Sequence, residues 1–359
     1  MSDLFEGFET FGGLSREAIL SWLRERDPER LAELWHAADI VRRRAVGDAV
    51  HLRGLVEISN HCARRCAYCG LNAGNTGLPR YRMADDEILA CAHRAAAMGF
   101  GTVVLQSGED LGFTRERIAG LVRRIAAETG LAITLSLGER SAADLRAWRA
   151  AGADRYLLRF ETSDAALFAA IHPPTPRGGE DRKALLRILR DLGYEVGSGV
   201  MVGVPGQGVA SVADDIVLFR DLDLDMIGVG PFIPHPDTPL GDPLARSRLD
   251  VGDQIAADAE TACKVVALAR LVRPDANVPA TTALAAADKV RGRTLGLSRG
   301  ANVLMPNLTP ATYRRDYDIY PDKAWAGETA DAFAEGVVEM LAALGRKAGT
   351  GPGGRTRNG

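Results

Sequence analysis

The sequence has little net charge, few cysteines and no long apolar run, and each absence excludes something. The formal charge is −3 over 359 residues, so there is no basic footprint for nucleic acid. The longest basic run, Arg42-Arg43-Arg44, stops at Ala45 and reads as the solvated end of a helix. No stretch reaches the roughly 18 uninterrupted apolar residues of a membrane span. Met1–Gly13 is acidic and mixed, without the basic start and apolar run of a secretory signal. The expected location is the cytoplasm. Five cysteines are an odd set, and Cys62, Cys66 and Cys69 crowd into one short stretch. In a chain of this length that argues against a disulfide framework and for metal or cofactor chemistry in a reducing compartment.

What is present is the balance of an ordinary globular protein, 46% apolar and 25% charged. Residues 14–46 read as two helices, the second carrying Leu31, Leu34, Trp35, Ala38, Ile40 and Val41 near helical spacing. A rhythm follows. Short apolar runs at Leu52–Ser59, Thr102–Ser107, Ala132–Leu137, Arg155–Phe160, Val196–Val202, Met226–Gly230, Asn277–Ala280 and Ala301–Met305 read as buried strands. Helical patterns lie between them, among them Asp85–Met98, Arg115–Thr129, Glu180–Leu192 and Val251–Val272. Near-continuous apolar strands alternating with helices predict a parallel sheet covered by helices. Eight such units predict an α/β fold of the (β/α)8 TIM-barrel type, with a doubly wound open sheet as the alternative. The expected divisions are an N-terminal helical extension (1–48), the barrel (49–310), a C-terminal helical segment (311–347) and a Gly- and Arg-rich disordered tail (348–359).

Functional residues of a barrel gather where its strands end. The first strand runs directly into His61-Cys62-Ala63-Arg64-Arg65-Cys66-Ala67-Tyr68-Cys69-Gly70. Three thiolates on one loop, spaced C-x3-C-x2-C, are soft ligands that can converge on an iron–sulfur cluster. Three ligands on a cube of four irons leave one iron open for chemistry. The competing reading is a zinc knuckle completed by His61, but zinc sites usually pair two short Cys or His spacings and no second pair occurs.

This motif, with an aromatic residue before the last cysteine, resembles the signature of the radical S-adenosylmethionine (SAM) superfamily. The resemblance narrows at other strand ends: Val104–Asp110, Thr134–Glu139, Gly152–Arg159, Met201-Val202-Gly203, Gly230–Leu240, Pro279–Thr282 and Gly300–Val303. Together, over residues from about 35 to about 347, they resemble HydE, the family of radical SAM maturases of the [FeFe]-hydrogenase active-site cluster. The resemblance implies a catalytic [4Fe–4S] cluster on Cys62, Cys66 and Cys69, and SAM as the group that its open iron chelates and its electron cleaves to a 5′-deoxyadenosyl radical. It implies SAM contacts from Tyr68 beside the adenine, Gly108 and Glu109 at the amino group, Glu161 at the ribose or amino end, and Arg182 at the carboxylate. Arginine suits that last task because its fork is always charged and can bind bidentately. A short insertion around Arg177-Gly178-Gly179 precedes Arg182.

Arg159, Thr134, Thr281 and Thr282 can point a guanidinium and hydroxyls inward, which suits a small ligand with an anionic part. The resemblance implies that this ligand is a cysteine-bound iron carbonyl–cyanide precursor. It also implies HydG and HydF as partner maturases and a ferredoxin or flavodoxin as electron donor, with neither nucleic acid nor membrane as a partner. Each residue has a plainer reading: the threonines as strand-end backbone partners, Glu161 as a cap for the helix near Asp164, and Arg182 as a surface residue. Cys91 and Cys263 lie in helical patterns and read as inert core thiols. His235, between two prolines, reads as a rigid strand-end residue. HydE proteins that carry a second cluster hold it on C-terminal cysteines; Tyr320–Gly336 has none here, so one cluster is expected. The rivals within the subgroup are a methylornithine synthase-like or biotin synthase-like enzyme. The rival from another class is a non-catalytic cluster carrier or scaffold.

Overall fold

In the computed structural model, residues 13–174, 181–249, 251–321, 323 and 330–355 are described. Strand residues alternate between two buried surroundings. Val56, Ile58, Val103, Leu105, Ile133 and Leu135 join one large core with Ile88, Ile118, Val122 and Trp148 of the flanking helices. Their neighbours Arg53, Glu57, Thr102 and Thr134 are also buried but polar. A period of two with both faces buried is the mark of a covered parallel sheet; here one face is apolar and the other is wired with hydrogen bonds.

The strands are β1 (Ala49–Ser59), β2 (Thr102–Ser107), β3 (Ala132–Ser136), β4 (Arg155–Leu157), β5 (Glu195–Val202), β6 (Met226–Pro231), β7 (Val303–Leu304) and β8 (Lys347–Ala348). They run in the order β6-β5-β4-β3-β2-β1-β7, every pair parallel, with β8 beside the start of β1. The stretch expected as a strand at 277–280 makes only isolated bridges, from Asn277 to Met226 and from Pro279 to Val303. Those bridges sit between β6 and β7 and close the ring, so the open-sheet alternative falls away. The helix expected from Val251 begins only at Ala259, where the Asp258 side chain accepts from the Thr261 N–H and caps it.

As far as Arg355 the tail differs from the expected disorder, and 356–359 lie outside the described residues. From Lys347 the chain pairs with β1 and then crosses the end of the barrel where the strands begin. The Pro352 carbonyl accepts from Thr102 Oγ1 at 2.9 Å and Arg155 NH2 at 3.1 Å. The Gly353 carbonyl accepts from Arg53 NH2 at 3.0 Å and Asn277 Nδ2 at 3.1 Å. Arg355 pairs with Asp225 at 2.8 Å and Asp275 at 2.7 Å. A segment without large apolar side chains reads as disordered, but its order here comes from carbonyls that satisfy buried arginines of the barrel floor. Gly353 has φ +57 and a Cβ there would strike the His51 ring, so glycine is required at that contact.

Candidate active site

The opposite end of the barrel carries the cysteine loop. Its course is set by backbone bonds to the end of β2, to the end of the helix Ala165–Ile171 and to Ile319. Ala63 N–H donates to the Glu109 carbonyl at 2.9 Å, Ala67 N–H to Ile171 at 2.8 Å and Gly70 N–H to Ile319 at 3.1 Å. Gly108 lies directly beneath: a Cβ there would sit 2.3 Å from the His61 carbonyl and 2.8 Å from Cys62 Cβ. The glycine lets the loop lie on the end of β2.

Cys62, Cys66 and Cys69 are free thiols, Cys66 buried and the other two half-buried. Burial pushes all three above the usual thiol range, Cys69 to about 12. The negative charges of Cys69 and Cys62 add to the effect at Cys66, and that of Cys62 at Cys69. The charges of the three thiols therefore bear on one another. That is a set whose protons an iron–sulfur cluster would displace. Among the described residues no three His, Cys, Asp or Glu side chains are placed to hold a single metal ion.

A buried belt of charges runs from one thiol to another. Glu109 N–H points at Cys62 Sγ at 3.4 Å. The Glu109 carboxylate accepts from Arg64 Nε at 2.9 Å and from Glu139 N–H at 3.0 Å. Glu139 accepts from Arg64 on one oxygen and from Arg182 Nε, at 2.9 Å, on the other. Arg182 NH1 donates to the Arg159 carbonyl at 2.6 Å, and NH2 lies 2.9 Å from His172 Nε2. His172 Nδ1 ends the belt, 2.9 Å from Cys66 Sγ. Burial alone would raise the Glu139 pKa, but the Arg182 and Arg64 guanidiniums hold it down at about 2. A cavity of about 480 Å3 opens beside the belt, lined by Arg64, Glu139, Phe160, Phe168, His172 and Arg182 among others.

The expected SAM residues fall around this belt in different ways. Arg182 is buried, not a surface residue, and starts the helix Arg182–Asp191, whose N-cap is Asp181. Three of its five N–H groups are engaged as above, which leaves two for a ligand. The insertion at Arg177-Gly178-Gly179 lies outside the described residues. Glu109, expected at the SAM amino group, has both carboxylate oxygens and its carbonyl engaged within the protein, so its side chain orders the cysteine loop. Glu161 is not a helix cap, because Asp164 fills that role for the helix Ala165–Ile171. It has φ +64, which non-glycine residues rarely adopt. Its Oε2 is buried and without a hydrogen bond, 3.1 Å from Arg159 NH2 but out of bonding geometry. Tyr68 is half-buried against Ala67, Leu167, Met201 and Phe232. Burial and the nearby charges of Glu161 and Cys66 raise its phenol well above the usual range.

The expected substrate residues divide. Thr281 spends its hydroxyl as a helix cap, donating to the Val229 carbonyl at 2.8 Å and accepting from Leu284 N–H at 3.3 Å. This is the plainer reading, so Thr281 offers little to a ligand. Thr282 bonds the Tyr320 hydroxyl at 2.8 Å. Thr134 Oγ1, Arg159 Nε and Arg159 NH2 are buried without hydrogen bonds. Sequence reasoning missed the polar contacts made by residues 313–321 and Lys323. Tyr317 accepts from Gln106 at 3.1 Å, and Lys323 pairs with Glu57. His235 Nε2 lies 3.0 Å from Asp318 and ties this segment to the loop after β6. His172 carries no local motif and Glu139 only closes the strand-end stretch Thr134–Glu139; their convergence on Arg182 reveals their part in the site.

Residues 56–219 match the Radical SAM superfamily. The chain is 43% identical over 343 residues to the [FeFe] hydrogenase maturase subunit HydE of Thermotoga maritima, covering 96% of this chain and 94% of that protein. It is 29% identical to the 3-methylornithine synthase of Methanosarcina acetivorans, over 88% of this chain and 86% of that one. Among solved structures, methylornithine synthase (PylB) superposes with TM-score 0.78 at 26% identity, covering 96% of both chains. The maturase HydG superposes with TM-score 0.79 at 16% identity, over 96% of this chain and 74% of that one, a likeness of fold.

Proposed function

Since the chain belongs to the HydE family of radical SAM [FeFe]-hydrogenase maturases, we propose that it cleaves SAM reductively and acts on a cysteine-bound iron carbonyl–cyanide precursor during assembly of the diiron subsite. The observation that carries the reading is that three free thiols of one loop stand at one end of a buried belt that holds an arginine with two N–H groups to spare. Cys62, Cys66 and Cys69 would hold one [4Fe–4S] cluster, and SAM would lie between it and Arg182. When bound and reduced, that pair supplies a 5′-deoxyadenosyl radical.

The chain's own residues do the positioning. Arg182 would take the SAM carboxylate on its remaining N–H groups, held in orientation by Glu139 and the Arg159 carbonyl. Glu161, with one buried oxygen unbonded, would accept from the ribose hydroxyls or the ammonium, and Tyr68 would flank the adenine. Arg159 and Thr134, whose buried polar atoms lack bonds, would receive the anionic part of the precursor deeper in the barrel, with Thr282 beside them. Tyr320, bonded to Thr282 at 2.8 Å, would help to keep water from that end of the site. HydG and HydF as partners, and a ferredoxin or flavodoxin as reductant, belong to the same proposal.

The test is anaerobic reconstitution followed by reduction with dithionite. Wild-type protein should bind about four irons and four sulfides and yield 5′-deoxyadenosine from SAM. The triple Cys62→Ala, Cys66→Ala, Cys69→Ala variant should do neither, while Cys91→Ala and Cys263→Ala should do both. A full cluster in the triple variant would sink the assignment. Cluster binding without SAM cleavage in the wild type would favour a carrier.

A further inference from the structure

We propose that His172 donates a hydrogen bond from Nδ1 to Cys66 Sγ and thereby raises the reduction potential of the cluster that Cys66 helps to hold. The inference rests on the cluster reading above. It makes His172 a positioning residue that tunes the cluster from outside its ligand set.

The proton's place follows from the neighbours. His172 is buried, 4% exposed, so each ring nitrogen must find its partner within the protein. Nε2 lies 2.9 Å from Arg182 NH2. A guanidinium has no acceptor, so Arg182 donates and Nε2 accepts. Glu139 Oε1 is also near Nε2, but at 3.4 Å, and Arg182 Nε already occupies that oxygen at 2.9 Å. With Nε2 bare, the neutral ring carries its proton on Nδ1. That nitrogen stands 2.9 Å from Cys66 Sγ, and sulfur accepts. The ring is not free to turn away, because Phe168 packs on it with centroids 4.9 Å apart.

Reduction adds negative charge to a cluster and its thiolates. An N–H aimed at a ligating sulfur stabilises that charge more in the reduced state, so it raises the potential. Cys62 receives a comparable donor in the Glu109 N–H at 3.4 Å, but that donor belongs to the backbone. His172 is a donor that a side-chain substitution can remove, and the Tyr68 side chain, which also reaches Cys66, is left in place.

Two variants separate the sulfur contact from the arginine contact. His172→Asn places an amide nitrogen where Nδ1 stands and keeps the donor to sulfur. His172→Gln places its amide where Nε2 stands and keeps only the partner of Arg182. Both proteins are reconstituted, their iron and sulfide counted, and their clusters titrated with a mediated reductant and followed by EPR. The Gln variant should hold a full cluster whose reduced-to-oxidised ratio at a fixed poise falls about tenfold, about 59 mV for a one-electron couple. The Asn variant should stay near wild type. A wild-type ratio in the Gln variant, equal shifts in both, or loss of the cluster from both would overturn the proposal. Failure of the wild-type protein itself to bind a four-iron cluster is a separate result, and it removes the cluster reading together with this inference.

Discussion

Glu139 Oε1 lies 2.9 Å from Arg182 Nε, and both side chains are nearly sealed from solvent beneath the cysteine loop. The pair joins the end of β3 to the start of the helix Arg182–Asp191, and with it the two sides of the proposed SAM site. Removing one partner of such a pair leaves the other's charge buried and unanswered.

Glu139→Ala should therefore destabilise the protein by about 3–5 kcal/mol, read by denaturant unfolding, since Arg64 and Arg182 each lose one carboxylate acceptor. Glu139→Gln should cost less because its amide oxygen still accepts. The carboxylate titrates at about 2 instead of its ordinary 4.5. A lowered folded pKa means a contribution fully present above about 4.5 and lost as pH falls toward 2. Wild type should lose stability through that window more steeply than Glu139→Gln. Parallel curves would show that the pair does not carry the effect.

Arg182→Ala should weaken SAM binding while iron content holds. One charge-assisted bond lost is worth about 1.5–3 kcal/mol, roughly ten- to a hundredfold in affinity. Arg182→Lys should recover only part, because an ammonium cannot reach Glu139, the Arg159 carbonyl and a ligand together. Equilibrium SAM binding decides it, and wild-type affinity in the Ala variant would mean that another group holds the carboxylate.

Arg159→Ala should separate two activities. With dithionite it should still release 5′-deoxyadenosine, because Arg182 is held by the Arg159 carbonyl and not by its side chain. It should fail to mature an [FeFe]-hydrogenase in a reconstitution assay, and Arg159→Lys should rescue partly. Equal loss of both activities would assign Arg159 to the SAM site or the fold; loss of neither would move the precursor to other strand ends.

A chain ending at Gly349 should melt at lower temperature than the full chain. It strips acceptors from Arg53, whose complete burial already pulls its guanidinium down to about 9, and from Arg155. Each charge-assisted bond lost contributes about 1.5–3 kcal/mol. Cluster loading and SAM cleavage should survive, since the tail lies at the far end of the barrel. An unchanged melting temperature would return the tail to the status of a loose appendage.

Local pattern alone determined a good deal. The spacing of Cys62, Cys66 and Cys69 and their place after an apolar strand are written in adjacent residues. The alternation of strands and helices is legible because burial on both faces leaves runs such as Thr102–Ser107 nearly continuous. Only the tertiary structure decided which polar groups meet. Glu139 follows β3, whereas His172 ends one helix and Arg182 starts the next in the connection from β4 to β5, and the parallel pairing of β3 with β4 brings them to one mouth. Thr281 looked free in the sequence, yet the helix that follows it claims its hydroxyl. The tail misled for the complementary reason: its composition shows only what it lacks, while its order depends on carbonyls, which every sequence has and no sequence pattern displays.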